Sequence, residues 1–216
     1  MSQKAEPLTG KAETIHRIIR AARWEFSENG ITGSRMDNIA ARAGVTKQLL
    51  YHYFDSKKNL FSAVLDERTD RIFSGLLGID LDPEEPENAM RAFLNLMFDQ
   101  YRDDPNLANI AQEAIAFHNE TEAENSKFPD MAPALVSKIQ PILKSGQEKG
   151  IFRADVDPRY FLAMASLIVS GGFTNTYMLS SILEFDTNSD EGLIKWRSYA
   201  VDFVIEAILN PLHTNA

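Results

Sequence analysis

The 216-residue chain contains no cysteine, which excludes disulfides and thiolate metal sites. It has no run of eighteen apolar residues, so no membrane-spanning helix is expected. The stretch Met1-Ser2-Gln3-Lys4-Ala5-Glu6-Pro7 lacks the apolar centre of a signal peptide, and the cytoplasm is the simplest compartment. Alternating Val, Ile and Thr of the kind that marks strands is scarce. Also missing are a phosphate-cradling glycine loop and an H-E-x-x-H zinc motif. The four histidines, His16, His52, His118 and His213, are scattered. The acidic run Glu120, Glu122 and Glu124 reads as a solvated loop rather than a calcium site. No metal, cofactor or catalytic residue is therefore expected.

What the chain does have is helical periodicity. Hydrophobic residues make up 44% and charged residues 25%, as in ordinary folded proteins. Residues 1–10 read as a disordered lead-in. Ile15, Ile18, Ile19, Ala22 and Phe26 then recur at helical spacing, and Gly30 is expected to end this helix. Ser34 can cap a short helix from Arg35 to about Ala43, Thr46 a second one through Tyr53, and Asp55-Ser56 a longer one. Pro83 and Pro86 lie in an acidic linker, Asp80 to Glu87. Long helical patterns follow at about 87–102, 105–120, 130–149, 158–183 and 190–209. Pro105, Pro129 and Pro158 fall near their starts, where a missing N–H is harmless. About nine helices are expected, with no internal repeat.

Net charge is −9, which at first argues against nucleic acid. Its distribution changes the reading. Residues 1–60 hold ten Lys and Arg against six acids, and the remainder twelve against twenty-five. A basic end on an acidic body leaves only that end able to approach DNA. Within it lies SRMDNIAARAGVTKQLLYHYF, Ser34 to Phe54. The small Ala40 lets two helices cross closely, Gly44 suits a tight turn, and Val45 and Leu50 can plug the space between helices. These are the packing demands of a helix-turn-helix, whose second helix enters the major groove. Lys47, Gln48, Tyr51 and His52 are candidates for its exposed face, and Leu50 and Phe54 for its buried face. Gln48 can pair with an adenine edge, and Lys47 can reach a guanine edge or a phosphate. Tyr51, Tyr53 and Lys57 have the reach and donors for phosphates, which position a helix rather than specify sequence.

The arrangement F-S-E-N-G-I, then I-A-A-R-A-G-V-T-K, then L-Y-H-Y-F-D-S-K-K-N-L-F resembles the DNA-binding domain of the TetR family over roughly residues 12–66. The resemblance implies an all-α homodimer. Three N-terminal helices would bind double-stranded operator DNA, and about six more would bind a small-molecule effector and the partner subunit. It assigns Thr46, Lys47 and Gln48 to the start of the recognition helix and Tyr51, Tyr53 and Lys57 to phosphate contacts. Two positions depart from the usual pattern. Arg35 stands where many members carry a small hydroxyl residue, so Ser34-Arg35 can combine a cap with a direct DNA contact. This Gly-hydroxyl-Arg sequence is similar to that of the pyrimidine-responsive, RutR-like branch. Tyr53 replaces the usual His, and His52 occupies a variable position.

The domains expected on this reading are residues 11–66 for DNA and 67–216 for ligand and dimer contacts. Residues 158–183 are apolar nearly all round, with small Ala163, Ala165, Ser166, Ser170, Gly171 and Gly172. The last helix repeats Trp196, Tyr199, Ala200, Phe203, Val204, Ala207 and Ile208. These two helices and their symmetry mates form a plausible four-helix dimer contact. Candidate pocket residues are Phe73, Phe93, Met97, Tyr101, Phe117, His118, Met164, Phe173, Asn175 and Tyr177. His118, with Glu113 five residues earlier, is the leading polar candidate, and Gly171-Gly172 and Asn175 can mark a helix break. A pyrimidine-like polar metabolite and a hydrophobic compound remain open as effectors. So do activation in place of repression, and recruitment of a protein partner.

Overall fold

A computed structural model describes residues 10–104, 106–120 and 127–212. The lead-in up to residue 9, Pro105, Glu122, Glu124 and His213 lie outside the described residues. The described residues form ten α-helices and no strand. They are α1 (Gly10–Gly33), α2 (Met36–Ala43), α3 (Lys47–Phe54), α4 (Lys57–Gly78), α5 (Pro86–Arg102), α6 (Leu107–Glu120), α7 (Lys127–Glu148), α8 (Pro158–Thr174), α9 (Thr176–Leu183) and α10 (Asp190–Glu206). Contacts divide the chain into two compact units. The first takes α1–α3, α4 as far as Arg68 and α6 from Asn109; the second takes the rest of α4 with α5 and α7–α10.

In the first unit, α1 buries Ile18, Ala21, Ala22, Glu25 and Phe26, an i, i+3, i+4, i+7, i+8 stripe. Gly30, at φ 62°, interrupts α1 rather than ending it, and one more turn runs on to Gly33. Helix α2 buries Met36, Ile39, Ala40 and Ala43. Gly44 ends it at φ 65° and ψ 40°, a conformation that costs a side-chain-bearing residue about 1–2 kcal/mol. There the Gly44 N–H donates to the Ala41 carbonyl and the Val45 N–H to Ala40. Thr46 caps α3 as expected, its hydroxyl accepting from the Leu49 N–H at 3.1 Å, which is worth about 1 kcal/mol. Ser56 does the same for α4 through the Asn59 N–H. The core gathers Phe26, Ile39, Leu50, Leu60, Phe61 and Val64, with Ile110 supplied by α6. Phe61 meets Phe26 edge-on at 5.1 Å and Phe117 of α6 at 5.2 Å.

The second unit is larger. Its core joins Phe93, Leu94 and Phe98 of α5 to Ile139 and Leu143 of α7, Phe161 and Ala165 of α8, and Val204 and Ile205 of α10. Fully burying such side chains contributes about 1.5–3 kcal/mol each. Asp157 caps α8 through the Arg159 and Tyr160 N–H groups, with Pro158 at the first helical position. Ser189 caps α10 through Gly192. The expected helix 158–183 is two helices. It breaks at Asn175 and bends by 83°. Local side-chain bonds compete with the helical ladder there: Thr174 Oγ1 donates to the Ser170 carbonyl, and Asn175 Nδ2 donates to Thr174 Oγ1. The last helix also stops early, at Glu206, because the chain turns so that Leu209 pairs with Phe152 in an isolated antiparallel bridge. Within α8 the two adjacent glycines serve close packing inside the chain: a Cβ on Gly172 would lie 2.3 Å from the Trp196 ring of α10.

Candidate nucleic-acid interface

On α3, Lys47, Gln48, Tyr51 and His52 are all exposed, while Leu50 on the other side is fully buried. Their i, i+1, i+4, i+5 spacing puts them on one helical face. The exposed N-terminus of α3 lies at Thr46, beside that face. Tyr53 is half-buried against the core, its ring 5.6 Å from that of His52. Arg35 is exposed and occupies the N-cap position of α2. Lys47 does not project freely. Its Nζ lies 2.9 Å from Asp37 Oδ1 and 3.1 Å from Oδ2, on the first turn of α2. Hydrogen bonding to Asp37, reinforced by its charge, raises the Lys47 ammonium above its ordinary pKa.

One expected role changes, and a second residue gains structural partners. Ser34 does not cap α2: it is buried, and its hydroxyl donates back to the Glu25 and Gly30 carbonyls. A hydroxyl turned inward to two carbonyls satisfies the end of α1 instead of the start of α2. Lys57 is half-buried, and its ammonium donates to the Thr32 and Ser34 carbonyls, both at 3.1 Å. A cation on the last carbonyls of a helix is favourable there.

Several residues that shape this region carry no functional motif. Glu25 is buried, and its Oε1 accepts from the Arg35 N–H at 3.1 Å and from Asn38 Nδ2 at 3.0 Å, so it substitutes for the missing side-chain cap of α2. Its signal in the sequence is a carboxylate on the apolar stripe of α1. Glu113 of α6 accepts from the Ile31 N–H at 2.8 Å, just past the Gly30 break, and Asn109 of α6 donates to the Ser27 carbonyl. No local pattern announces that pairing, because the partners are 82 residues apart. Arg42 of α2 stacks over the Trp24 ring at 3.4 Å.

Of the ten residues expected around a ligand, Phe73, Phe93, Met97 and Phe173 share one hydrophobic cluster of the second unit, and Tyr101 stacks on Phe173. Phe117 and His118 belong to the first unit, where Phe117 packs on Phe61 and His118 is exposed. Met164 and Tyr177 are 61% and 88% exposed, so they line no interior. Asn175 is exposed at the helix break. Phe73 and Phe93 are buried core residues, with Met97 packed against the same cluster. Tyr101 and Phe173 do meet, stacked at 5.3 Å with Phe98 alongside. Burial pushes the Tyr101 phenol above its ordinary pKa, opposed by its hydrogen bond with Ser170.

The outer surface of the second unit is apolar in a way the first is not. Tyr160, Met164 and Leu167 on α8, Tyr177, Met178 and Ile182 on α9, and Ile194, Tyr199 and Phe203 on α10 are all exposed. Among the described residues no group of three or more His, Asp or Glu is placed to hold a metal ion. No single helix there is long and apolar enough to cross a membrane.

Residues 18–64 match the family described as bacterial regulatory proteins, tetR family, and residues 86–204 match the tetracyclin repressor-like C-terminal domain. The chain is 26% identical over 195 residues to the HTH-type transcriptional repressor NicS of Pseudomonas putida, covering 90% of this chain and 92% of that protein. It is 29% identical over 174 residues to the HTH-type transcriptional regulator RutR of Escherichia coli, covering 76% and 78%. A solved TetR transcription regulator from Haloarcula marismortui shares the fold with a TM-score of 0.71, at 20% identity, over 91% of this chain and 98% of that one.

Proposed function

The chain belongs to the TetR family of bacterial transcriptional regulators, and from that membership we propose that it is a cytoplasmic repressor, released from a palindromic operator by a small-molecule effector. The observation that carries the reading is the α3 face. Lys47, Gln48, Tyr51 and His52 stand exposed on a helix that Gly44 and Thr46 set at a defined angle to α2. Gln48 would read a base edge. Thr46, Tyr51, Tyr53 and Arg35 would hold phosphates and fix the register. Lys57, whose ammonium has a third N–H beyond the two given to carbonyls, would also hold a phosphate, and Ser34 would act by fixing the joint between α1 and α2. In this reading residues 11–66 carry operator binding and 67–216 carry effector and dimer contacts.

Homodimerisation through α8 and α10 fits the apolar surface they leave exposed. A twofold dimer would present two α3 helices about 34 Å apart, one to each successive major groove. An effector would act by binding the releasing conformation more tightly than the DNA-bound one, since equal affinity shifts nothing. The test is selection from genomic fragments by the purified protein at fixed salt, followed by footprinting. A protected palindrome with half-sites about one helical turn apart supports the reading. Failure to enrich any fragment, or a single unpaired half-site, counts against it.

A further inference from the structure

The pairing of Lys47 with Asp37 is more than a surface ion pair. Lys47 is the first residue of α3, the end of the recognition helix that a helix-turn-helix points at base edges. Asp37 sits in the first turn of α2, a helix start that has no side-chain cap of its own. Both side chains are well exposed, at 54% and 66%, so nothing in the packing forces them together. Both carboxylate oxygens nevertheless lie within 3.1 Å of the ammonium. A lysine held this way brings no net charge to the DNA face. To reach a phosphate it must leave Asp37, and the carboxylate is then left unpaired beside the polyanion.

We propose that Asp37 is a specificity-determining residue, whose carboxylate withholds Lys47 from the phosphates of arbitrary DNA and so lowers non-specific binding relative to operator binding. Non-specific affinity is almost wholly phosphate neutralisation, with a salt slope of about 0.9 per phosphate neutralised. On arbitrary DNA the only return for leaving Asp37 is one phosphate contact, and the pair withholds it. At the operator Lys47 can leave Asp37 for a guanine edge as well, so the penalty falls more heavily on random sequence and the ratio of operator to random-sequence binding rises. The raised ammonium pKa of Lys47 agrees with a pair already formed in the free protein.

The inference rests on placing Lys47 at the DNA face, and the two can be tested separately. The experiment measures binding of the full-length protein to the selected operator and to a scrambled duplex of equal length, between about 50 and 200 mM KCl. Variants are Asp37→Asn, Asp37→Glu, Lys47→Gln and Asp37→Asn with Lys47→Gln. Asp37→Asn is expected to bind the scrambled duplex more tightly and to lose about 3-fold more affinity than wild type across that salt range, the signature of one added phosphate contact. Asp37→Glu, which keeps the charge, should behave as wild type. The gain from Asp37→Asn should be several-fold larger with Lys47 present than with Gln in its place.

Equal gains on the two backgrounds would mean a general field effect of the carboxylate and would overturn the proposal. Weaker binding by Asp37→Asn would also overturn it, and would leave Asp37 as a stabiliser of the α2 start through the helix dipole. If Lys47→Gln changes neither affinity nor slope, the placement of Lys47 at the DNA face fails. If Lys47→Gln weakens binding but Asp37→Asn does not tighten it, only the proposal fails.

Discussion

The faces presented by α3 and by α8–α10 are both exposed, both helical and opposite in kind. Helix α3 shows lysine, glutamine, tyrosine and histidine over a core residue, Leu50, that is fully buried. Helices α8 and α10 show Tyr160, Leu167, Tyr199 and Phe203 over an equally complete core, and α9, which buries no residue, adds Ile182. The first suits a wet, charged groove, where contacts are hydrogen bonds and counterion release. The second suits removal from water against another apolar surface. Each unit has finished folding its interior, and what remains outside reflects what that surface is for.

The largest expected effect comes from putting charge on the apolar face. Leu167→Glu with Phe203→Glu changes two exposed residues and should leave each chain folded. Because a twofold interface meets itself, every introduced carboxylate is duplicated. Dimer affinity should fall by at least about 100-fold, since an unpaired buried charge costs several kcal/mol. Sedimentation at micromolar concentration reads the monomer, and operator binding should fall with it. A variant that stays dimeric would show that α8 and α10 are not the contact.

A smaller effect, confined to the other unit, follows from Glu25→Ala. It removes the acceptor of the Arg35 N–H and the Asn38 amide and should lower stability by about 2 kcal/mol in urea unfolding followed by tryptophan fluorescence. Glu25→Gln keeps an acceptor oxygen and should lose less. The dimer should survive both changes; if it dissociates as well, the two surfaces are not independent. The smallest effect is expected of Gln48→Ala: roughly 1–2 kcal/mol lost on the operator alone, with scrambled DNA bound as before. Equal loss on both sequences would make Gln48 a register contact rather than a base reader.

The contrast also explains what could be read in advance. The helix-turn-helix was legible because its requirements are local. A left-handed turn at Gly44, a hydroxyl cap at Thr46 and a buried Leu50 all sit within seven residues of one another. Helix positions in the second unit were legible from periodicity, and within the apolar run 158–183 Asn175 was legible as a candidate break, where Thr174 and Asn175 side-chain hydrogen bonds sit. The pocket candidates are aromatic or polar residues in apolar stretches. That criterion cannot separate the buried Phe93 from the outward Tyr177, nor foresee that Phe117 packs on Phe61. Ser34 illustrates a subtler limit: a hydroxyl placed to cap α2 turns instead to carbonyls near the end of α1.

The carboxylate of Glu113 on the Ile31 N–H has an engineering consequence. A reading head of this kind is not a contiguous cassette. A chimera that grafts residues 11–66 onto a foreign body leaves behind Glu113, Asn109 and the Phe117 ring that closes on Phe61. Such a transplant should keep its base preference but hold its α1 break loosely. Carrying the 109–117 segment along, or installing a glutamate and an aromatic ring at the matching positions of the recipient, should restore a well-seated head.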